Sequence, residues 1–204
     1  MAKNTTELVL ILDRSGSMSG LEGNTIKGFN DMIHTLQKRK SLCYVTTFLF
    51  DDKLEFLHDR ERLSDVKDIT EENYYVRGCT ALNDALGTAI SHIEGIHKYI
   101  RPEDVPAHTI FVLVTDGMEN ASRKYTTTAN RKAILGHKDW RFLFLGADID
   151  AVTSAPELGF SEDNIGMFLC TNDGILEMYK AIAKAVEETR AGKPQTASWK
   201  TDLY

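Results

Sequence analysis

The chain has 204 residues, 42% of them hydrophobic and 26% charged, with a formal net charge of −6. That length suits one large α/β domain rather than two, and the acidic balance excludes the electrostatic footprint of a nucleic-acid or anionic-membrane binder. No run approaches the roughly 20 apolar residues that a membrane span needs, and three widely spaced cysteines argue against a disulfide framework and for a reducing compartment. The apolar run near the N-terminus is too short for a signal-peptide core and has no cleavage site, so a cytoplasmic protein is expected.

Residues 7–12 read as the first strand. Val9 to Leu12 are apolar without alternation, the pattern of a strand covered on both faces, and they run straight into Asp13. Residues 21–40 carry Ile26, Phe29, Ile33 and Leu36 at helical spacing. Residues 43–50 are β-branched and aromatic, and Asp51-Asp52-Lys53 is a turn before strand character resumes at 54–57, which predicts a hairpin and one antiparallel strand. Residues 58–79 are charged and irregular, with Leu63, Val66 and Ile69 as packing candidates. A helix starts after Thr80, its stripe running from Leu82 to Ile100 ahead of Pro102.

A second buried strand, 109–115, also runs into a carboxylate, Asp116, followed by Gly117. A modest helix at 129–136, a strand at 141–145, a short helix at 149–158, a strand at 165–169 and a patterned helix at 173–190 complete the order. Strand and helix alternate throughout, which predicts a doubly wound three-layer α/β/α sandwich, Rossmann-like, with a mostly parallel sheet and one antiparallel edge strand. The domain is expected over residues 1–191, with 192–204 as a C-terminal tail.

In such a sheet, ligands collect at the carboxyl ends of the strands. Asp13, Ser15 and Ser17 place one carboxylate and two hydroxyls on alternate residues of a tight loop there. Alone, they could equally be helix-capping residues. With Thr80 and Asp116 they make five side-chain oxygens from three loops, a donor set for a hard cation that keeps waters, as Mg²⁺ does.

DRSGS at Asp13 to Ser17, Thr80 in RGCTALNDAL and Asp116 in VLVTDGMEN together resemble the metal-ion-dependent adhesion site, or MIDAS, of von Willebrand factor type A domains. The likeness extends over roughly residues 5 to 190 and is to the compact bacterial intracellular type. It implies that Ser15, Ser17 and Thr80 ligate Mg²⁺ (or Mn²⁺ or Ca²⁺) directly or through water, while Asp13 and Asp116 hold coordinated waters and orient the hydroxyls. The metal then accepts an Asp or Glu from a protein partner; intracellular members of the family work with ATPases or in stress-response assemblies. Glu119, Asn120 and Met18-Ser19-Gly20 are expected on the binding rim. Asp84 is either a support of the metal ligands or a carboxylate favoured by the helix dipole.

The other readings are structural. His92 and His97 lie on different helical faces, and Cys43 and Cys170 are expected as buried thiols with Cys79 partly exposed. Asp148 and Asp150 are helix caps, while Trp140, Phe142 and Phe144 are core. The competing function is a Mg²⁺-dependent phosphatase-like hydrolase with Asp13 as nucleophile. That chemistry normally needs a second acid two residues on, where this chain has Ser15, and no phosphate-binding glycine motif is present. The expectation is therefore a binding protein and no enzyme.

Overall fold

A computed structural model describes residues 2–39 and 41–203. Its six strands are β1 (Ala2–Asp13), β2 (Cys43–Phe50), β3 (Leu54–Arg62), β4 (Pro106–Thr115), β5 (Trp140–Gly146) and β6 (Ile165–Met167). The helices are α1 (Glu22–Gln37), α2 (Leu82–Tyr99), α3 (Thr127–Gly136), α4 (Ile149–Ser154) and α5 (Asn172–Arg190). The strands lie in the order β3-β2-β1-β4-β5-β6, all parallel except β3, which is antiparallel to β2. The expected mixed, doubly wound sheet is what forms.

The unbroken apolar run of β1 has its physical reason here. Leu8, Leu10 and Leu12 pack with α1 and α5 on one face, while Val9 and Ile11 pack with α2 on the other. Every residue of the run is buried, so neither face could carry a polar side chain without losing its solvation. The chain leaves β1 for β2 on one side and reaches β4 on the other, so the switch point falls between β1 and β4 and their ends open on one crevice.

Three expectations are corrected and one, the second below, is borne out. First, β3 continues through the charged residues to Arg62. Its charges sit on an edge strand, where polar residues prevent further strand pairing. The pairing is bulged, and Arg60, at φ +52°, donates its N–H to Thr46 Oγ1. Second, the expected packing of Leu63, Val66 and Ile69 is borne out: all three are buried, and the loop beyond β3 is held along α1. Asn30 exchanges hydrogen bonds with both backbone groups of Ile69, and Gln37 Nε2 donates to Leu63 and Val66 carbonyls. Third, the helix expected over 149–158 is α-helical only to Ser154 and finishes as a 3-10 turn around Pro156, whose ring cannot supply the i−4 hydrogen bond.

Fourth, the segment expected as a tail is docked on the domain. Trp199 is fully buried, its Nε1 donates to the Asp163 carbonyl at 2.9 Å, and its ring meets Gly166 of β6, where a Cβ would come within 3.0 Å. This segment covers the far edge of the sheet beside the three-residue β6. Replacing Trp199 by Ala should therefore destabilise the domain by about 3–5 kcal/mol, read as a lowered midpoint in urea denaturation with an unchanged slope.

Candidate metal centre

The centre begins with a buried charge. Asp13 is 1% exposed. Its Oδ1 accepts the Ser15 N–H at 2.7 Å and its Oδ2 accepts the Thr115 hydroxyl at 2.6 Å; Thr115 Oγ1 in turn accepts the Gly117 N–H. From Asp13 a chain of contacts passes outward. Ser15 Oγ lies 3.1 Å from Ser17 Oγ, and Ser17 Oγ donates to Asp116 Oδ1 at 2.7 Å. Gly117 ties in the third loop, because a Cβ there would sit 3.4 Å from both Ser17 Oγ and Thr80 Oγ1. Asp13, Ser15, Ser17, Thr80 and Asp116 thus converge, with Asp13, Ser15 and Thr80 buried and Ser17 exposed.

Thr80 is held by Asn120, whose Oδ1 accepts the Thr80 N–H at 2.9 Å while its own N–H donates to the Thr80 carbonyl at 3.0 Å. The irregular segment before it is tied to the Asp13 loop. Gly16 donates to the Gly78 carbonyl and Arg77 to the Arg14 carbonyl. Gly78 has φ +68°, a conformation glycine adopts at no steric cost. Beneath lies an ion-pair knot. Asp51 Oδ2 accepts from Arg14 Nε at 2.9 Å and from Arg77 Nε at 2.7 Å, and Arg14 Nη2 reaches Glu55 at 2.7 Å. Asp51 also takes the Ala81 N–H on its carbonyl. Burial opposes the Asp51 charge, but Arg77, the Lys53 N–H and Arg14 together hold its carboxyl below the usual range.

Several rim assignments are corrected. Met18 is buried in the core beneath the loop, leaving Ser19 and Gly20 exposed. Glu119 turns inward, where its oxygens accept the Ala121, Ser122 and Asn83 N–H groups and cap the start of α2, satisfying a donor the helix leaves free. Asn120 is exposed, as expected of a rim residue, and it also holds Thr80. Asp84 accepts the backbone N–H groups of Arg123, Lys124 and Tyr125 and so anchors the loop after β4. Burial works against its charge, yet these three donors keep its carboxyl below the ordinary value. Cys170 is exposed, since β6 stops at Met167, whereas Cys43 is buried and Cys79 exposed.

Other expectations hold. Asp148 caps α4 through the Asp150 N–H, and Trp140, Phe142 and Phe144 are buried. His92 contacts Asp59, while His97 packs edge-on against Trp140. Thr115 and Tyr74 have roles that sequence reasoning missed. Tyr74 donates its hydroxyl to the Asp13 carbonyl at 2.6 Å. A polar residue ending the apolar strand TIFVLVT was the available signal for Thr115; Tyr74, in an irregular loop, offered none.

The donor set suits a hard cation. Among the described residues no group of three or more His, Cys, Asp or Glu side chains is placed to hold a metal ion, so a cation at this centre would need the hydroxyl oxygens as well as the two carboxylates. Burial pushes the Asp13 carboxyl up to about 6 against the hydrogen bonds from Thr115 and Ser15, and the neighbouring Asp116 charge adds to the rise. Asp116 is raised as well, first by burial and further by Asp148, against the Ser17 hydrogen bond. Two carboxylates raised together lack a countercharge, and the adjacent Arg14 is already committed to Asp51 and Glu55. A divalent cation would supply that charge.

No family model matches the sequence, and no curated protein matches it. Solved structures share its fold. The pilus adhesin SpaC of Lactobacillus rhamnosus GG superposes with a TM-score of 0.69 at 13% identity, over 92% of this chain and 30% of that one. The vWF domain of the type V pili tip protein Mfa5 from Porphyromonas gingivalis gives 0.68 at 10% identity, over 93% and 97%. Proximal thread matrix protein 1 from the mussel byssus, in a form with a zinc-occupied MIDAS motif, gives 0.59 at 14% identity, over 87% and 44%. The chain spans less than half the length of the byssus protein and less than a third of the adhesin. Its fold is that of von Willebrand factor type A domains.

The raised Asp13 value has a sign that can be checked. A folded-state value of about 6 against an ordinary 3.8 means that ionised Asp13 opposes folding when no cation is present, and that the metal-free protein gains stability as pH falls from about 6 toward 3.8. Asp13→Asn, which keeps an acceptor for the Ser15 N–H, should lack this gain and be at least as stable as the native chain near neutral pH when chelator is present. Denaturation midpoints across that pH window measure both.

Proposed function

We propose that this domain is a metal-dependent protein-binding module in which Asp13, Ser15, Ser17, Thr80 and Asp116 hold a divalent cation that accepts an Asp or Glu from a protein partner. The observation carrying this reading is the convergence of three hydroxyls and two charge-starved carboxylates at the carboxyl ends of β1 and β4. Hard cations take oxygen ligands, and Mg²⁺ usually keeps several waters. When bound, the cation supplies an electrophilic position for an anionic oxygen from outside.

The residues of the chain divide the work. Ser15, Ser17 and Thr80 offer neutral oxygens, which leave positive charge uncancelled. Both Asp13 oxygens are engaged, by Ser15 and Thr115, so this carboxylate orients the Ser15 loop. Asp116 aligns the Ser17 hydroxyl. Asn120 and Gly78 deliver Thr80, and the Arg14–Asp51–Arg77 knot keeps the first and second loops in register. Exposure of Ser17, with Asp116 half-buried beside it, leaves a side open to a partner.

The same features disfavour hydrolysis with Asp13 as nucleophile, because Asp13 is buried and each of its oxygens already accepts a hydrogen bond, which lowers its nucleophilicity and its access to an incoming phosphate. Free thiols at Cys43, Cys79 and Cys170 support a reducing, cytoplasmic setting. Among the described residues no helix is long and apolar enough to cross a membrane.

Isothermal titration should detect Mg²⁺ or Mn²⁺ binding to the native chain, weakened at least about tenfold in Ser15→Ala/Thr80→Ala, the scale on which metal sites respond to loss of supporting groups. Equal affinity in the double variant overturns the site. Capture of a partner should be abolished by chelator, and turnover of an aryl phosphate with Mg²⁺ that disappears in Asp13→Asn would replace the adhesion reading by the hydrolytic one.

A further inference from the structure

The surface beside the metal centre carries features that the centre itself does not use. A pocket of 180 Å³ opens between α4 and the loop after β4, with Leu82, Met118, Phe144, Ala151 and Leu158 supplying apolar lining. Gly117 belongs to the pocket and to the centre at once, since a Cβ there would face Ser17 Oγ and Thr80 Oγ1 at 3.4 Å. A cavity of about 150 Å³ accommodates benzene, so this one holds a single branched or aromatic side chain.

The flank around it is apolar in a patterned way. Met118, Ile149 and Leu169 are exposed and follow the ends of three successive strands, β4, β5 and β6, while Tyr75 is exposed on the opposite lip. Apolar groups gathered beside a polar site mark an interaction surface rather than ordinary exposure. Its charge is one-sided. Asp148, Asp150 and Glu157 are exposed on the α4 side, and none has an ion-pair partner among the described residues. Arg131 donates to the Pro156 carbonyl beside Glu157 and forms no ion pair with any of these acids.

We infer that the partner presents an extended segment in which the metal-seeking acid is followed, within three residues, by a bulky apolar side chain for the pocket and then by Lys or Arg facing Asp148, Asp150 and Glu157. This rests on the adhesion reading above and adds its specificity. In an extended segment, residues i and i+2 share a face, which lets the acid and the apolar residue enter neighbouring sites separated by one glycine. The basic residue answers three exposed acids that form no ion pair among the described residues, on a chain of net charge −6, and would set partner choice and association rate.

The probe is a displayed library of short random peptides with one invariant Asp or Glu, selected on the intact protein with Mg²⁺ and eluted with chelator. The expected binders carry Leu, Ile, Met or Phe within three residues of the acid and a Lys or Arg beyond it. Met118→Ser/Glu157→Lys, which changes none of the five side chains assigned to the cation, should weaken the best peptide at least about tenfold, as loss of an interface anchor does, with Mg²⁺ affinity unchanged. Chelator-released binders without this pattern, or native affinity in the double variant, overturn the inference and leave the adhesion reading standing. A library yielding no chelator-released binder overturns the adhesion reading and this inference with it.

Discussion

The structure depends on placing a carboxylate, Asp13, at the buried end of its central strand. A strand covered on both faces has no water to offer the charge at its tip, and an isolated buried carboxylate is costly. The surroundings answer with donors: the Ser15 N–H and the Thr115 hydroxyl on the carboxylate, and the Tyr74 hydroxyl on its backbone carbonyl. These hydrogen bonds do not cancel the charge, and the carboxyl stays raised at about 6. A group that is hydrogen-bonded but not neutralised fits the cation site proposed above.

That preparation extends to the loops by a different kind of interaction. Arg14, next to Asp13, is fully buried and paired to Asp51, and Asp51 also receives Arg77 and the Ala81 N–H on either side of Thr80. One carboxylate at the end of β2 therefore positions residues from two other loops. Because Arg14 serves Asp51 and Glu55, it cannot also neutralise Asp13. The knot keeps a nearby positive charge from occupying the role of the cation, and it keeps Thr80 where Ser17 and Asp116 can share a centre with it. On the opposite side, Glu119 and Asp84 turn their carboxylates inward onto backbone N–H groups and shape the loop after β4. That inward turn leaves Met118 exposed at the rim.

The result is a centre with rigid support beneath it and an asymmetric surface around it. The neutral hydroxyl donors leave charge for an external acid, while the flank over α4 offers an apolar recess and unpaired acids. In the proposed function, affinity and selectivity are separated in space: the cation would take any accessible carboxylate, and the neighbouring flank would distinguish which chain carries it.

Much of this architecture is legible in the amino-acid sequence. Apolar runs without alternation mark β1 and β4, helical stripes mark α1, α2 and α5, and the hairpin after Phe50 marks the antiparallel edge. Asp13, Ser15 and Ser17 declare an oxygen-rich loop by local spacing, and Thr80 and Asp116 join them through a resemblance carried by short motifs. Periodicity and turn chemistry act over a few residues, so a sequence displays them directly. What it does not display are contacts between residues far apart in the chain. Ser17 meets Asp116 across 99 residues and Asp13 meets Thr115 across 102. Nothing local distinguishes a rim carboxylate from the helix-capping Glu119, or a free tail from one that buries Trp199. The direction in which a polar side chain turns is decided by which buried backbone groups would otherwise lack a partner, and only the folded chain brings those groups into reach.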